Sequence, residues 1–261
     1  MRGNEGGRVQ PVVTPRFIPA CTDGLLQGLG QLAEECGCAV QTHCSESDWE
    51  HSHVLARFGR TDAAALVDLG LMTRHAILAH SNFIAGGDLD LIGAAGAAVA
   101  HCPLSNFYFA NSVFPLRAAL EKNIRVGLGT DISGGHSPSV LEACRSAVAA
   151  SRALEDGVDP ALPPERRGRP GSRIGYREAF WLATAGGGEA LGLPIGQFAP
   201  GFAFDAILVD VNAPGSNVRI WDESDSLDDV LQKILTGAAR ANIVRTWVQG
   251  RVVHEALREP L

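Results

Sequence analysis

The sequence has no long hydrophobic run, no block of basic residues and no cysteine pattern typical of a secreted protein. Its longest apolar stretch, residues 91–100, is too short to cross a membrane and contains two glycines. The first ten residues, MRGNEGGRVQ, lack the hydrophobic segment of a secretory signal. A formal net charge of −7 makes a nucleic-acid backbone a poor partner. We therefore expect a cytoplasmic protein that binds neither membranes nor nucleic acids.

The six cysteines do not form a recognisable framework. They stand at positions 21, 36, 38, 44, 102 and 144, and without a secretion signal they indicate reduced thiols. Cys36 and Cys38 are separated by one residue, which is closer than zinc-binding pairs usually are, and no second pair follows at finger-like spacing. What the chain does contain is 46% hydrophobic and 20% charged residues over 261 positions, enough to bury a core. This composition favours a small-molecule enzyme.

Short apolar runs alternate with helix-like stretches through residues 9–154. The runs end in polar residues and cover Val9–Phe17, Ala39–His43, Ala76–His80, Ala97–His101 and Arg125–Asp131. The helix-like stretches are Thr22–Gly37, Trp49–Phe58, Ala63–Leu69, Asp88–Ala94, Pro115–Lys122 and Pro138–Leu154. This alternation predicts parallel strands joined by right-handed helical crossovers.

A different pattern follows residue 154. Residues 155–173 are rich in proline, arginine and glycine and predict a loop; the next stretch predicts a helix over Tyr176–Leu191, interrupted near the glycines at 186–188. A helix over Leu227–Arg240 is flanked by β-like runs at Asp205–Val211 and Arg245–His254, the second with a tight turn at residues 249–250. We predict an α/β protein with a partial TIM-like (β/α) barrel, about five of eight strands, over residues 9–195. Residues 196–261 form a C-terminal segment with a helix and small β-sandwich strands.

Ionisable residues stand at the ends of four predicted strands: His43, His80, His101 and Asp131. In a (β/α) barrel the carboxyl ends of the strands converge on the face where active sites are built. Packing alone gives little reason for four such residues in register. The pattern therefore predicts an active site at this face.

The spacing His43-x-x-Glu46 suits metal chemistry. A histidine at a strand end can bind zinc, and a glutamate three residues later can exchange protons with an attacking water. The alternative is a surface histidine followed by a helix-capping glutamate. Asp131, after a glycine-containing strand, can be an oxygen ligand; the alternative is a cap for a turn or helix at residues 132–135. His80 either completes the metal shell or hydrogen-bonds the attacking water, and His101 supports the loop that follows it.

Two further pairs contain groups that could bind a ligand or a metal. Arg16 and Phe17 place a forked cation beside an aromatic face, which suits a planar heterocycle with an exocyclic carbonyl. The alternative is a surface arginine next to a core phenylalanine. His51 and His53 lie in a predicted helix, where residues two apart diverge, so we interpret them as part of a solvated helix face.

Five motifs, in this order and spacing, resemble the guanine deaminase branch of the amidohydrolase superfamily: TPRF, THCSE, LAH, AHCPLSN and GLGTDISGG. The tail, with FDAILVD and a final VQGRVV, resembles the β-sandwich at the end of these proteins, so that the likeness extends over Val12–Val253. The resemblance implies zinc-dependent hydrolysis of guanine to xanthine and ammonia, by a homodimer when intact. It implies His43 and Asp131 as zinc ligands, with His80 orienting the hydroxide or serving as a third metal ligand. Glu46, His80 and Asp131 are then the catalytic residues, and Arg16 and Phe17 contact the purine.

One element of the family pattern has no counterpart in this sequence. The family carries an His-x-His pair on its first barrel strand, whereas this chain begins at what would be the fourth strand. Five strands cannot close an eight-stranded barrel. We therefore expect weak metal binding and impaired deamination by the chain as written. The alternatives are a related deaminase acting on a pterin, triazine, cytosine or adenosine-like ring, and a non-catalytic fragment that pairs with another chain.

Overall fold

A computed structural model describes residues 9–109 and 111–256 of the chain. Its helices are α1 (Asp23–Cys36), α2 (Asp48–Phe58), α3 (Asp62–Asp68), α4 (Gly86–Ala95), α5 (Pro103–Tyr108), α6 (Leu116–Glu121), α7 (Val140–Asp156), α8 (Pro164–Arg167), α9 (Tyr176–Ala183), α10 (Ala185–Leu191) and α11 (Leu227–Gly237). Its strands are β1 (Val12–Val13), β2 (Ala39–Cys44), β3 (Ala76–His80), β4 (Ala98–His101), β5 (Arg125–Leu128), β6 (Ala206–Val209), β7 (Ile243–Val248) and β8 (Arg251–Glu255). Within the described ranges, no helix combines the length and the apolar character that a membrane span requires.

The first five strands form one sheet in the order β1-β2-β3-β4-β5. Neighbours from β1 to β4 pair in parallel. His43 lies opposite Ala79, and Cys44 lies opposite His80, so the two histidines end adjacent strands at the same edge of the sheet. This sheet and its helical crossovers confirm the predicted α/β class with a partial TIM-like fold.

The first and fifth strands are shorter than predicted. β1 contains only Val12 and Val13, because Pro11 and Pro15 on either side have no N–H to donate to a neighbouring strand. β5 ends at Leu128, three residues before Asp131, whose φ of 49° takes the backbone out of the extended region.

Two features of the helices also differ from the prediction. The interruption between α9 and α10 lies at Thr184, with φ −126° and ψ −97°, and the glycines at 186–188 are helical. Gly188 serves packing: a Cβ there would collide with the carbonyl oxygen of Ile195. Short helices α5 and α8 were not predicted; each begins with a proline, a residue suited to the first turn.

The C-terminal strands form a separate antiparallel sheet in the order β6-β7-β8. Gln249 and Gly250, with φ of 49° and 76°, join β7 to β8 as the predicted tight turn. Two consecutive residues with positive φ are typical of a two-residue hairpin loop.

The described residues fall into two compact units. The first comprises those up to His101 together with those from Asn106 to Val126, and the second comprises Cys102–Ser105 and the chain from Gly127 onward. Arg16, Phe17, His43, Glu46 and His80 belong to the first unit, and Asp131 belongs to the second. The predicted domain boundary between residues 195 and 196 stays a prediction.

Two glycines of α1 have opposite environments. A Cβ at buried Gly30 would collide with the carbonyl oxygen of Leu69, whereas a Cβ at exposed Gly28 would meet nothing within 4 Å. We expect Gly30→Ala to destabilise the fold by about 1–3 kcal/mol through overpacking. Gly28→Ala should stabilise it by about 0.5–1 kcal/mol, because alanine loses less conformational entropy in a helix. Urea unfolding of both variants checks this, and equal effects would contradict the close packing of α1 at Gly30.

Candidate functional site

His43, Glu46 and His80 form a compact polar group where β2 and β3 end. Each offers one possible metal-ligand atom, and these three atoms lie within 4.8 Å of one another. The two imidazole rings are stacked, with centroids 5.2 Å apart and an interplanar angle of 13°. His80 Nε2 lies 3.8 Å from Glu46 Oε2, and His80 is only 1% exposed. Two imidazoles and one carboxylate are donors that suit zinc.

The backbone of Arg16 fixes the position of His43. Its carbonyl oxygen lies 2.6 Å from His43 Nδ1 and also accepts the backbone N–H of His43 at 3.1 Å. Because a carbonyl only accepts hydrogen bonds, Nδ1 carries the hydrogen and Nε2 of the neutral ring carries the lone pair. Metal-binding histidines are commonly oriented in this way by a bond to the other ring nitrogen.

Buried carboxyl groups hold the turn that carries Glu46. The backbone N–H of Glu46 donates to Glu50 Oε2 at 2.8 Å, and that of Ser45 donates to Asp62 Oδ1 at 3.3 Å. Ser45 has a φ of 48°, an uncommon conformation for a residue with a side chain. At the other end of Glu46, Asn111 Nδ2 donates to Oε1 at 3.4 Å. Helices α2 and α3 thus position the loop between β2 and α2.

Glu50 and Asp62 are 1% and 0% exposed. Burial raises the pKa of Glu50 to about 8, and the charge of Asp62 adds to this, while the bond from the Glu46 N–H opposes it. Glu50 therefore holds a proton at neutral pH. The sequence pattern does not reveal either residue, because an acid in an early helical turn has the pattern of a solvated helix face.

An aromatic surface adjoins His43. The exposed Arg16 guanidinium lies 5.2 Å from the centre of the Phe17 ring, in cation–π geometry. The Phe17 ring centre is 6.2 Å from that of His43 and 6.2 Å from that of Trp49. His53 stacks on Trp49 at 5.4 Å. The exposed Trp49 was not predicted as part of this surface; its position three residues after Glu46 was the available signal.

Asp131 lies in the second unit, in a tight turn rather than at a helix N-terminus. Its carbonyl oxygen accepts the N–H of Gly135 at 2.5 Å, and the next helix begins only at Val140. A Cβ at Gly134 would collide with the Asp131 carboxylate, which explains the glycine at that position. Of the capping alternative, the helix is therefore wrong, whereas Asp131 does precede a turn; its role as a metal ligand stays a prediction.

The other histidines occupy varied environments. His101 ends β4, is 1% exposed and packs against Phe114 with ring centres 5.3 Å apart. Burial, aided by the charge of His80, lowers the pKa of His101 to about 3. His51 lies in a helix as predicted, but the expectation of a solvated position is wrong for it. Its Nδ1 lies 3.4 Å from the buried Asp62 Oδ2.

Comparisons with known proteins agree with the resemblance seen in the sequence. The model of the Amidohydrolase family matches residues 1–253. A probable guanine deaminase of Schizosaccharomyces pombe is 36% identical over 249 residues, which are 94% of this chain and 46% of that protein. The structure of E. coli guanine deaminase is 28% identical with a TM-score of 0.82, covering 96% of this chain and 56% of the other.

A second solved structure, guanine deaminase from C. acetobutylicum with guanine bound in its active site, is 27% identical. Its TM-score is 0.78, and the match covers 91% of this chain and 54% of that one. The chain thus spans about half the length of the relatives it matches. Since the family model covers nearly all of its residues, the chain belongs to the amidohydrolase family.

Proposed function

We propose that this chain carries the metal-binding and purine-binding part of a guanine deaminase, which hydrolyses guanine to xanthine and ammonia with zinc as the metal. The observation that supports this most directly is the meeting of His43, Glu46 and His80 beside the Arg16–Phe17 pair. Likeness to guanine deaminases over more than nine tenths of the chain supports the choice of substrate.

The residues present fit a zinc ion. His43 and His80 each offer a ring nitrogen, and Asp131 would add a carboxylate oxygen. When bound, zinc acidifies water and so provides a nucleophile at neutral pH. Glu46 would take a proton from the attacking water and pass it to the departing amino nitrogen. In the balanced reaction water adds to the amine-bearing carbon, the C–N bond breaks and ammonia leaves.

Arg16 and Phe17 would recognise the purine. The guanidinium presents parallel N–H donors to a carbonyl oxygen of the base, and the Phe17 ring offers an apolar face against which it can lie. Adenine lacks that carbonyl, so this contact favours guanine over an adenosine-like ring. We further propose that the intact enzyme is a cytoplasmic homodimer, which sedimentation and cell fractionation can check.

Ammonia release tests the proposal. Purified chain is loaded with zinc and incubated with guanine, adenine or a triazine, with Glu46→Gln as the inactive control. We expect slow, zinc-dependent release from guanine that the control lacks. Preferred release from another ring, or a chain that neither binds nor deaminates guanine, would contradict the assignment.

Arg16→Ala provides a separate prediction about recognition. Losing a charged hydrogen-bond donor should weaken guanine binding about 10- to 100-fold. Binding is measured by calorimetry on the zinc-loaded chain. Arg60→Ala is the matched control, because Arg60 is also exposed and pairs with Asp68 on the surface. Similar guanine affinity in both variants would exclude Arg16 from the substrate site.

A further inference from the structure

A row of hydrogen bonds connects the ring of His80 to the backbone of Glu46. His80 Nδ1 lies 2.9 Å from Asn106 Oδ1. Asn106 Nδ2 donates to Asn82 Oδ1 at 2.7 Å, and Asn82 Nδ2 donates to the Glu46 carbonyl oxygen at 2.9 Å. The three side chains are 1%, 2% and 5% exposed, in the order His80, Asn106, Asn82. Water therefore competes little for these bonds.

The Glu46 carbonyl oxygen, at the end of the row, sets the direction of every hydrogen bond in it. A backbone carbonyl only accepts, so Asn82 must turn its NH₂ group toward Glu46 and its Oδ1 toward Asn106. Asn106 must then turn its own NH₂ group toward Asn82 and its Oδ1 toward His80. The oxygen requires a donor, so Nδ1 of His80 carries the hydrogen. In the neutral ring the lone pair then belongs to Nε2.

In this tautomer the two stacked rings, His43 and His80, both carry the hydrogen on Nδ1 and the lone pair on Nε2. Nε2 of His80 is the nitrogen 3.8 Å from Glu46 Oε2. His43 reaches the same tautomer through a single bond to the Arg16 carbonyl oxygen. A histidine can bind a metal only through a nitrogen that carries a lone pair, and the bond at the other nitrogen decides which one that is.

We propose that Asn82 and Asn106 are positioning residues that hold His80 in its Nδ1–H tautomer, with Nε2 as the ligating nitrogen. The purpose of this arrangement rests on the proposed function, but the tautomer itself does not. Asn82 acts on His80 through Asn106, by fixing which way the Asn106 amide is turned. The row also connects two site residues, because its far end is the backbone of Glu46.

Nitrogen NMR of the full chain tests this directly. The chain is labelled with ¹⁵N-histidine, freed of metal by a chelator and studied at alkaline pH; His80→Gln identifies the His80 signals. We expect the wild-type ring to carry its hydrogen on Nδ1. Asn82→Leu frees the Asn106 amide to rotate, so His80 should lose this tautomer as its dominant form. Asn82→Asp keeps an acceptor for Asn106 Nδ2 and should retain it.

Two results would overturn the proposal: a wild-type His80 with hydrogen on Nε2, or a folded Asn82→Leu chain with an unchanged tautomer. Should Asn82→Leu fail to fold by circular dichroism, the wild-type and Asn82→Asp spectra decide. In folded Asn82→Leu, zinc affinity should also fall about 10- to 100-fold.

The spectra need neither metal nor substrate. A chain with the expected tautomer that does not act on guanine would therefore contradict the proposed function alone.

Discussion

Replacing Glu50 with glutamine is expected to stabilise the protein increasingly as the pH rises from 5 to 8. Glutamine imitates the protonated acid: its oxygen can accept the Glu46 N–H that Glu50 Oε2 now accepts, and its NH₂ group can donate to the neighbouring Asp62 carboxylate in place of the acid proton. The variant keeps these bonds at every pH, whereas the wild-type carboxyl must hold a proton to remain buried without charge.

The sign follows from the pKa in each state. The pKa of Glu50 is about 8 in the folded chain and about 4.5 in the unfolded chain, so between these values the unfolded chain loses the proton first. The contribution of Glu50 to wild-type stability therefore falls as the pH rises through this window, by about 1.4 kcal/mol per pH unit. Between pH 5 and pH 8 the advantage of the glutamine variant should grow by about 4 kcal/mol. Urea unfolding at intervals of one pH unit measures this.

Glu50→Ala is the control that separates charge from hydrogen bonding. It also removes the titration, but it leaves the Glu46 N–H without its acceptor, which costs about 1–3 kcal/mol at every pH. Parallel stability curves for wild type and the glutamine variant would show that Glu50 ionises normally in the folded chain.

The second large expected effect is a loss of folding stability at acid pH that is due to His101. His101 has a pKa of about 3 in the folded chain against 6.5 for an ordinary imidazole, because burial disfavours its charged form. As the pH falls below 6.5 the unfolded chain takes up the proton first, so the contribution of His101 to stability decreases until about pH 3. The whole interval corresponds to about 5 kcal/mol.

His101→Leu should remove this acid sensitivity while keeping an apolar contact for Phe114. The difference in unfolding free energy between variant and wild type, measured from pH 7 to pH 3.5, isolates the contribution of this one ring. His75→Gln, at an exposed position, controls for the loss of a histidine. An unchanged pH slope in the leucine variant would mean that His101 is not the group responsible.

Together these two groups predict the shape of the stability curve. Between about pH 4.5 and 6.5 the rise due to His101 and the fall due to Glu50 have equal slopes and cancel. Below this interval the histidine lowers stability, and above it the glutamate does. The double variant should therefore have a flatter curve than either single one.

Much of the fold follows from local sequence signals. Strand β3 has the predicted bounds of Ala76–His80, and α1 lies within the predicted stretch Thr22–Gly37, whose two end residues are its caps. Thr22 accepts the N–H of Leu25, and Gly37 takes up a φ of 59° that suits glycine at a helix end. These are contacts between neighbours in the chain, so their residue types reveal them.

The features that the sequence did not reveal depend on contacts between residues that are distant in the chain. Nothing near Thr184 marks it as the break between α9 and α10, and Gly188 in the glycine run after it serves close packing instead. In the site, motif spacing brought attention to His43, Glu46 and His80. It gave no sign of the buried acids Glu50 and Asp62, because burial depends on what α2 and α3 pack against.

The backbone and the side chain of Arg16 have different roles. Its carbonyl oxygen accepts hydrogen bonds from the His43 ring and backbone. Any amino acid that keeps the same backbone conformation at this position can provide that oxygen. Its side chain, by contrast, faces outward beside Phe17. Under the proposed function, a substitution at position 16 would change the contact with the bound ring while the backbone carbonyl still holds His43, so this position could evolve new substrate preferences around an unchanged histidine.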